Sequence, residues 1–122
     1  MTKTIRVLIA DDHTIVRSGV RMLLETEEDI QVVGEALNGQ QALDLTAELQ
    51  PDLVLMDIAM PVLDGLQATR QIKARWPQVE VLVLTMHRSD EYFFELLRAG
   101  ASGYILKAAG TDELVNAVRV VA

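Results

Sequence analysis

The sequence predicts an α/β fold, a doubly wound five-stranded parallel sheet with helices on both faces. Three observations predict it. Short β-rich apolar runs alternate with helix-period segments from one end of the chain to the other. Two of the runs, Leu53-Val54-Leu55-Met56 and Val81-Leu82-Val83-Leu84, are apolar at every position, as strands buried on both faces of a parallel sheet are. The chain has 122 residues, half of them apolar, which suits one compact domain over residues 1–122 and leaves no room for two.

The elements follow in order. Ile5-Arg6-Val7-Leu8-Ile9-Ala10 is the first strand and stops at two aspartates. Val16, Val20, Leu23 and Leu24 then share one face of a helix. Residues 30–36 form the second strand. Asn38 opens a helix that runs to about Leu49, and Asn38-Gly39-Gln40-Gln41 has the spacing of a capping box. Pro51 ends that unit, and the third strand follows at once. Residues 65–76 supply the next helix, closed by Pro77, before the fourth strand ends at Thr85. A helix over about 90–99 is capped by Gly100. Gly103-Tyr104-Ile105-Leu106 is the fifth strand, ending at Lys107, and Thr111 is the expected N-cap of the last helix. Five strands alternating with five helices require right-handed crossovers, with helices covering both faces.

Composition narrows the function. There is no cysteine, so disulfides and thiolate metal sites are excluded. The N-terminus lacks the features of a secretory signal, and no apolar run approaches the roughly 20 residues needed to cross a bilayer. A cytoplasmic protein without membrane attachment is the expectation. The formal net charge is -7, which repels phosphate backbones and argues against direct nucleic-acid binding by this domain.

In sheets of this kind, ligands sit beyond the carboxyl ends of the strands. The residues there are Asp11 and Asp12, Asp57, Thr85 and Lys107. Three carboxylates together repel unless a cation intervenes. All-oxygen ligation selects a hard divalent ion, and few carboxylates plus waters is the usual magnesium arrangement. Such an ion neutralises an incoming phosphoryl group and leaves one carboxylate to attack it in line. Lys107 is placed to pair with phosphoryl oxygens and Thr85 to donate a hydrogen bond to one. The set suits making and holding an aspartyl phosphate.

Asp11-Asp12, Asp57, Met60-Pro61, Asp64-Gly65, Thr85 and Lys107 together resemble the receiver domains of two-component response regulators, over essentially the whole chain. Ile9-Ala10-Asp11-Asp12-His13, Leu84-Thr85-Met86-His87 and Ala99-Gly100-Ala101-Ser102-Gly103-Tyr104 resemble the NarL/FixJ subfamily. The resemblance implies a flavodoxin-like strand order 2-1-3-4-5. It implies Asp57 as phosphoacceptor, accepting from a sensor histidine kinase or phosphotransfer domain. Magnesium, for which manganese can substitute, would be held by Asp12 and Asp57, by Asp11 through water and by the backbone carbonyl of Ala59. Thr85 and Lys107 would read the phosphoryl group, and Tyr104 would be the switch aromatic. Homodimerisation on activation and transcriptional output through a helix-turn-helix domain outside this chain are implied as well. The only chemistry expected is the domain's own phosphorylation and dephosphorylation.

Some positions depart from the common receiver pattern. Ala59 offers the site no side chain. Met86 is bulky where small residues are frequent, and His87 follows it; these positions set the lifetime of the phosphorylated state. Ala108 stands where many receivers carry proline, often after a cis bond that is costly for other residues. His13 reads either as a metal ligand or as a surface histidine at a helix start. Ile15, Gly19 and Met22 form a second apolar stripe on the first helix, either a docking face for a partner helix or a widened core face.

Other functions fit less well. A haloacid-dehalogenase-like phosphohydrolase needs a second aspartate two residues after the first, where His13 stands. A nucleotide or flavin binder needs a glycine-rich first loop, where Asp11-Asp12-His13-Thr14 stands. A receiver-like docking module that is never phosphorylated would not need the intact acceptor, acidic pair, threonine and lysine.

Overall fold

The computed structural model describes residues 4–58, 60, 62–85, 90–106 and 110–122. The strands are β1 (Ile5–Ala10), β2 (Ile30–Ala36), β3 (Leu53–Asp57), β4 (Glu80–Thr85) and β5 (Gly103–Leu106). The helices between and after them are α1 (Thr14–Glu25), α2 (Gly39–Leu49), α3 (Gly65–Arg75), α4 (Asp90–Arg98) and α5 (Thr111–Val121). All strand pairs are parallel, in the order β2-β1-β3-β4-β5. The doubly wound architecture and its strand order are as expected.

The alternation of side chains along each strand divides the core in two. Leu8, Ala10, Val54, Met56, Val81 and Val83 face one way, against Ala42 and Leu43 of α2, Ala68 and Ile72 of α3 and Leu96 of α4. Val7, Ile9, Leu53, Leu55, Leu82 and Leu84 face the other way, against Leu24 of α1 and Leu114, Val115 and Val118 of α5. Every residue of β3 is buried, which is why that strand has no polar position before Asp57. The register between β1 and β2 shifts at Val7/Leu8, so β2 carries one extra residue.

Local chemistry sets the helix ends. Asn38 Oδ1 accepts from Gln41 N at 2.8 Å, as a capping box requires, but the Gln41 side chain accepts from Leu37 N rather than from Asn38 N. Arg6, in β1, donates to the carbonyls of Leu49 and Gln50, both at 2.8 Å, and so satisfies the end of α2. Gly100 adopts φ 97° after α4, a left-handed conformation that glycine accepts without a Cβ clash.

One expectation changes and one open alternative is decided. Gly110, not Thr111, is the N-cap of α5, and Thr111 takes the first helical position. Asp112 and Glu113 lie in that first turn, where negative charge complements the helix dipole without a side-chain cap. The second stripe of α1 is no part of the core. Ile15 is 87% and Met22 72% exposed, and among the described residues nothing lies within 4 Å of where a Cβ on Gly19 would be.

The turn between α1 and β2 is tied to α5 by charge. Arg119 Nε and Nη2 donate to the two carboxylate oxygens of Asp29, both at 2.9 Å, and Nη2 also donates to Glu27 at 2.7 Å. The hydrogen bond from Arg119 holds the Asp29 carboxyl below its ordinary range. A lowered carboxyl pKa contributes stability above the unfolded-state value of about 3.9, and loses it as pH falls through the folded value. Arg119→Met should therefore lower the thermal midpoint at neutral pH, and its deficit against the parent should shrink below about pH 4. Thermal unfolding followed by circular dichroism across that range checks this. A deficit constant into acid would assign Arg119 a packing role instead.

Candidate functional site

The carboxyl edge of the sheet gathers three of the chain's aspartates. The backbone N–H of Asp11 donates to Ala36 O at 3.0 Å, extending the ladder by one residue and fixing Asp11 beside the β1 end. Its side chain is buried, and Asp11 Oδ1 accepts from His13 N at 2.8 Å. Asp11 thus closes the turn before α1. The N-cap itself is His13, which makes no side-chain capping bond. Asp57 ends β3 in register with Leu84 and is only 1% exposed. Asp12 projects between them with its side chain 30% exposed.

Asp11, Asp12, His13 and Asp57 each offer one ligand atom, and these four atoms lie within 4.8 Å of one another. Among the described residues this is the one cluster of three or more carboxylate or imidazole groups that could hold a metal. Two of its carboxylates are cut off from water, so their mutual repulsion is poorly screened. A divalent cation fits this donor set, which supplies anionic oxygen on one side and solvent access past Asp12 on the other.

The loop from β3 to α3 borders the cluster. Asp64 caps α3, its Oδ1 accepting from Gln67 N at 2.9 Å. Gly65 N donates to Ile58 O at 3.0 Å, which brings the helix start onto the backbone of the strand end. A Cβ on Gly65 would lie 2.4 Å from Asp57 O and 2.6 Å from Ile58 Cα, so this approach requires glycine. Val62, 83% exposed, adopts φ 70°, a left-handed conformation that is strained for a β-branched residue.

Thr85 is buried at the end of β4 and pairs with Leu106. Tyr104 is half-buried on β5, in register with Val83, and packs against the core that α2, α3 and α4 cover. Thr85 lies two residues beyond Val83, so Thr85 and Tyr104 address the same face of the sheet. Lys107 and Ala59 lie outside the described residues, as do Pro61, Met86, His87 and Ala108. The structure thus brings Asp11, Asp12 and Asp57 together and puts Thr85 at the same edge.

Two contributors were not legible as such. Arg17 donates from Nη1 to Asp11 O and from Nε to Glu35, both at 2.9 Å, with only 12% of its side chain exposed. It fastens the acidic turn to the end of β2, and Arg21 also pairs with Glu35. An acidic residue near the end of an otherwise apolar strand was the available signal. The second is His13, which is exposed as a surface histidine would be, yet directs Nδ1 into the carboxylates. That atom lies 3.1 Å from Asp12 Oδ1, 3.3 Å from Asp11 Oδ1 and 4.0 Å from Asp57 Oδ2.

Comparison with known proteins identifies the family to which this fold belongs. The model of the response regulator receiver domain matches residues 7–119. The chain is 43% identical over 118 residues to the transcriptional regulatory protein DegU of Brevibacillus brevis, covering 97% of this chain and 50% of that protein. It is 46% identical over 116 residues to the response regulator protein VraR of Staphylococcus aureus, covering 95% of this chain and 56% of that protein. The chain therefore spans about half the length of the curated relatives it matches. Among solved structures, the signal receiver domain of the putative response regulator NarL from Mycobacterium tuberculosis superposes with a TM-score of 0.93 at 34% identity, covering 97% of this chain and 95% of that one.

The contact at Gly65 yields a direct test. Gly65→Ala adds a methyl group that backbone atoms cannot avoid, at an overpacking cost of about 1–3 kcal/mol. The gain in helix propensity is at most about 1 kcal/mol, so the net effect is destabilising. Urea denaturation should show a lower midpoint with an unchanged slope. An unchanged midpoint would mean that the β3–α3 loop can move away at little cost.

Proposed function

The chain belongs to the response regulator receiver domain family, with NarL/FixJ-type relatives, and from that premise we propose that it is a phosphorylatable switch whose acceptor is Asp57. The observation that carries the reading is the position of the Asp57 carboxylate, buried at the end of β3 and within 4.8 Å of ligand atoms from Asp11 and Asp12. An isolated buried carboxylate at a strand end would be a structural oddity. One flanked by two more from the neighbouring strand suits a cation-assisted phosphoryl acceptor.

In the proposed reaction, a carboxylate oxygen of Asp57 attacks the phosphorus of a phosphohistidine on a sensor kinase or phosphotransfer domain. The O–P bond forms as the P–N bond breaks, and the leaving imidazole keeps the electron pair and takes up a proton. Asp12 and Asp57 would hold magnesium or manganese directly, with Asp11 acting through water and Ala59 through its carbonyl. When bound, the ion would offset the charge gathered on the phosphoryl oxygens. Arg17 and the buried backbone bond of Asp11 keep the acidic turn in place. Thr85 would donate to a phosphoryl oxygen and Lys107 would pair with another. Tyr104 would then follow Thr85, on the face of the sheet they share. Hydrolysis of the acyl phosphate by the domain itself would reset the switch.

The new charge, about -1.5 to -2, would favour a different arrangement of the surface around α4, β5 and α5. Homodimerisation and transcriptional control through a helix-turn-helix domain of the full protein are the proposed output. The net charge of -7 supports a DNA contact made elsewhere than on this domain. Among the described residues no helix is long and apolar enough to cross a membrane, and a kinase-coupled switch of this kind would act in the cytoplasm.

Intact-mass measurement after incubation with acetyl phosphate tests the core of this reading. The parent should gain one phosphoryl group in a magnesium-dependent manner, and Asp57→Asn should gain none. Thr85→Ala should keep the acceptor and lose most of the switching, read as phosphorylation without a change in oligomeric state. A folded parent that takes no phosphoryl group from acetyl phosphate or from a phosphohistidine donor would instead support a docking module.

A further inference from the structure

We infer that His13 is a nitrogen ligand of the proposed cation site, which makes the site a mixed nitrogen–oxygen centre able to hold a transition-metal ion more tightly than its carboxylates alone could. The inference rests on the metal reading above and extends it.

Three observations carry it. First, the His13 side chain is not engaged by the helix end it occupies. It is the N-cap of α1 yet makes no side-chain capping bond, and its side chain is 60% exposed. Second, its Nδ1 has three carboxylate oxygens around it, one each from Asp11, Asp12 and Asp57, at 3.1–4.0 Å. Third, the four ligand atoms of Asp11, Asp12, His13 and Asp57 lie within 4.8 Å of one another, close enough for one ion to be shared among them, directly or through water.

The chemistry then follows from ligand type. Imidazole suits nickel, zinc and copper, whereas magnesium prefers oxygen and keeps its waters. An all-oxygen site already binds nickel more tightly than manganese, so selectivity in the parent decides nothing by itself. The discriminating quantity is how far that selectivity depends on His13. The backbone N–H of His13, which bonds Asp11 Oδ1 at 2.8 Å, is untouched by substitution of the side chain. The side chain makes no capping bond, so its removal leaves the start of α1 as it is. The only other histidine in the chain is His87.

The test is titration calorimetry of the metal-free protein with nickel chloride and, separately, magnesium chloride, on the parent and on His13→Ala and His87→Ala variants. His13→Ala should weaken nickel binding about tenfold or more while leaving magnesium within about twofold, and His87→Ala should change neither. Copper added to the parent should show nitrogen hyperfine structure in its electron paramagnetic resonance spectrum, absent from His13→Ala. Equal effects of His13→Ala on both metals, or loss of nickel binding in His87→Ala alone, would overturn the assignment and leave the cation site standing. A rise in magnesium affinity in His13→Ala would make His13 a competitor of the metal, which also overturns it. A parent that binds neither metal would remove the cation site itself.

Discussion

A parallel sheet covered on both faces by helices has no side on which to carry polar chemistry. In this chain the constraint is severe, because β3 is buried along its whole length and both neighbours pack apolar side chains above and below it. Polar groups can enter only where the strands stop. Asp57 sits at that boundary, its backbone still in the ladder and its carboxylate just beyond the apolar layers. The same boundary on β1 receives Asp11, held by one more ladder bond to Ala36. The rest of the site depends on these two strands ending side by side, as their parallel register from Val7↔Leu53 to Ala10↔Met56 requires.

Crowding acidic groups in this way opposes stability, since like charges in a weakly screened setting raise the energy of the folded state. The surroundings hold the carboxylates in place rather than apart. Arg17 reaches the carbonyl of Asp11 from α1 while its other face pairs with Glu35, so the turn that carries two of the carboxylates is anchored outside the acidic cluster. His13 brings a basic nitrogen to the cluster itself. A cation placed among these groups would change the balance of charge at one point of the sheet edge. Thr85 and Tyr104 lie on one face of β4 and β5, the next two strands after β3 in the sheet, where Tyr104 also packs against the core.

Most of the fold could be read directly because the periodicities were clean. Uniformly apolar runs gave β3 and β4, and the ends of β1 and β3 gave the acidic residues. The N-cap of α5 could not be read, since Gly110 and Thr111 are both acceptable caps and stand side by side in the sequence. The fate of the second stripe on α1 was also open. Ile15 and Met22 sit at spacings that would suit a wide core face, and only their exposure in the folded chain shows that they face solvent. Arg17 was hidden for a different reason. Its partners are a backbone carbonyl six residues earlier and a glutamate on the next strand, and pairing across elements leaves no local pattern. His13 illustrates the limit from the other side, because the residue type suggested either role and only the direction of the ring separates them.

The left-handed backbone of Val62 has a consequence for how the loop beside Asp57 is held. Such a conformation in a β-branched residue stores about 1–3 kcal/mol, against a total stability for a domain of this size of about 5–15 kcal/mol. The side chain is exposed, so little packing recovers that energy locally. A glycine at position 62 would meet no such cost, so the parent domain carries at this one exposed position a strain that its sequence could have avoided.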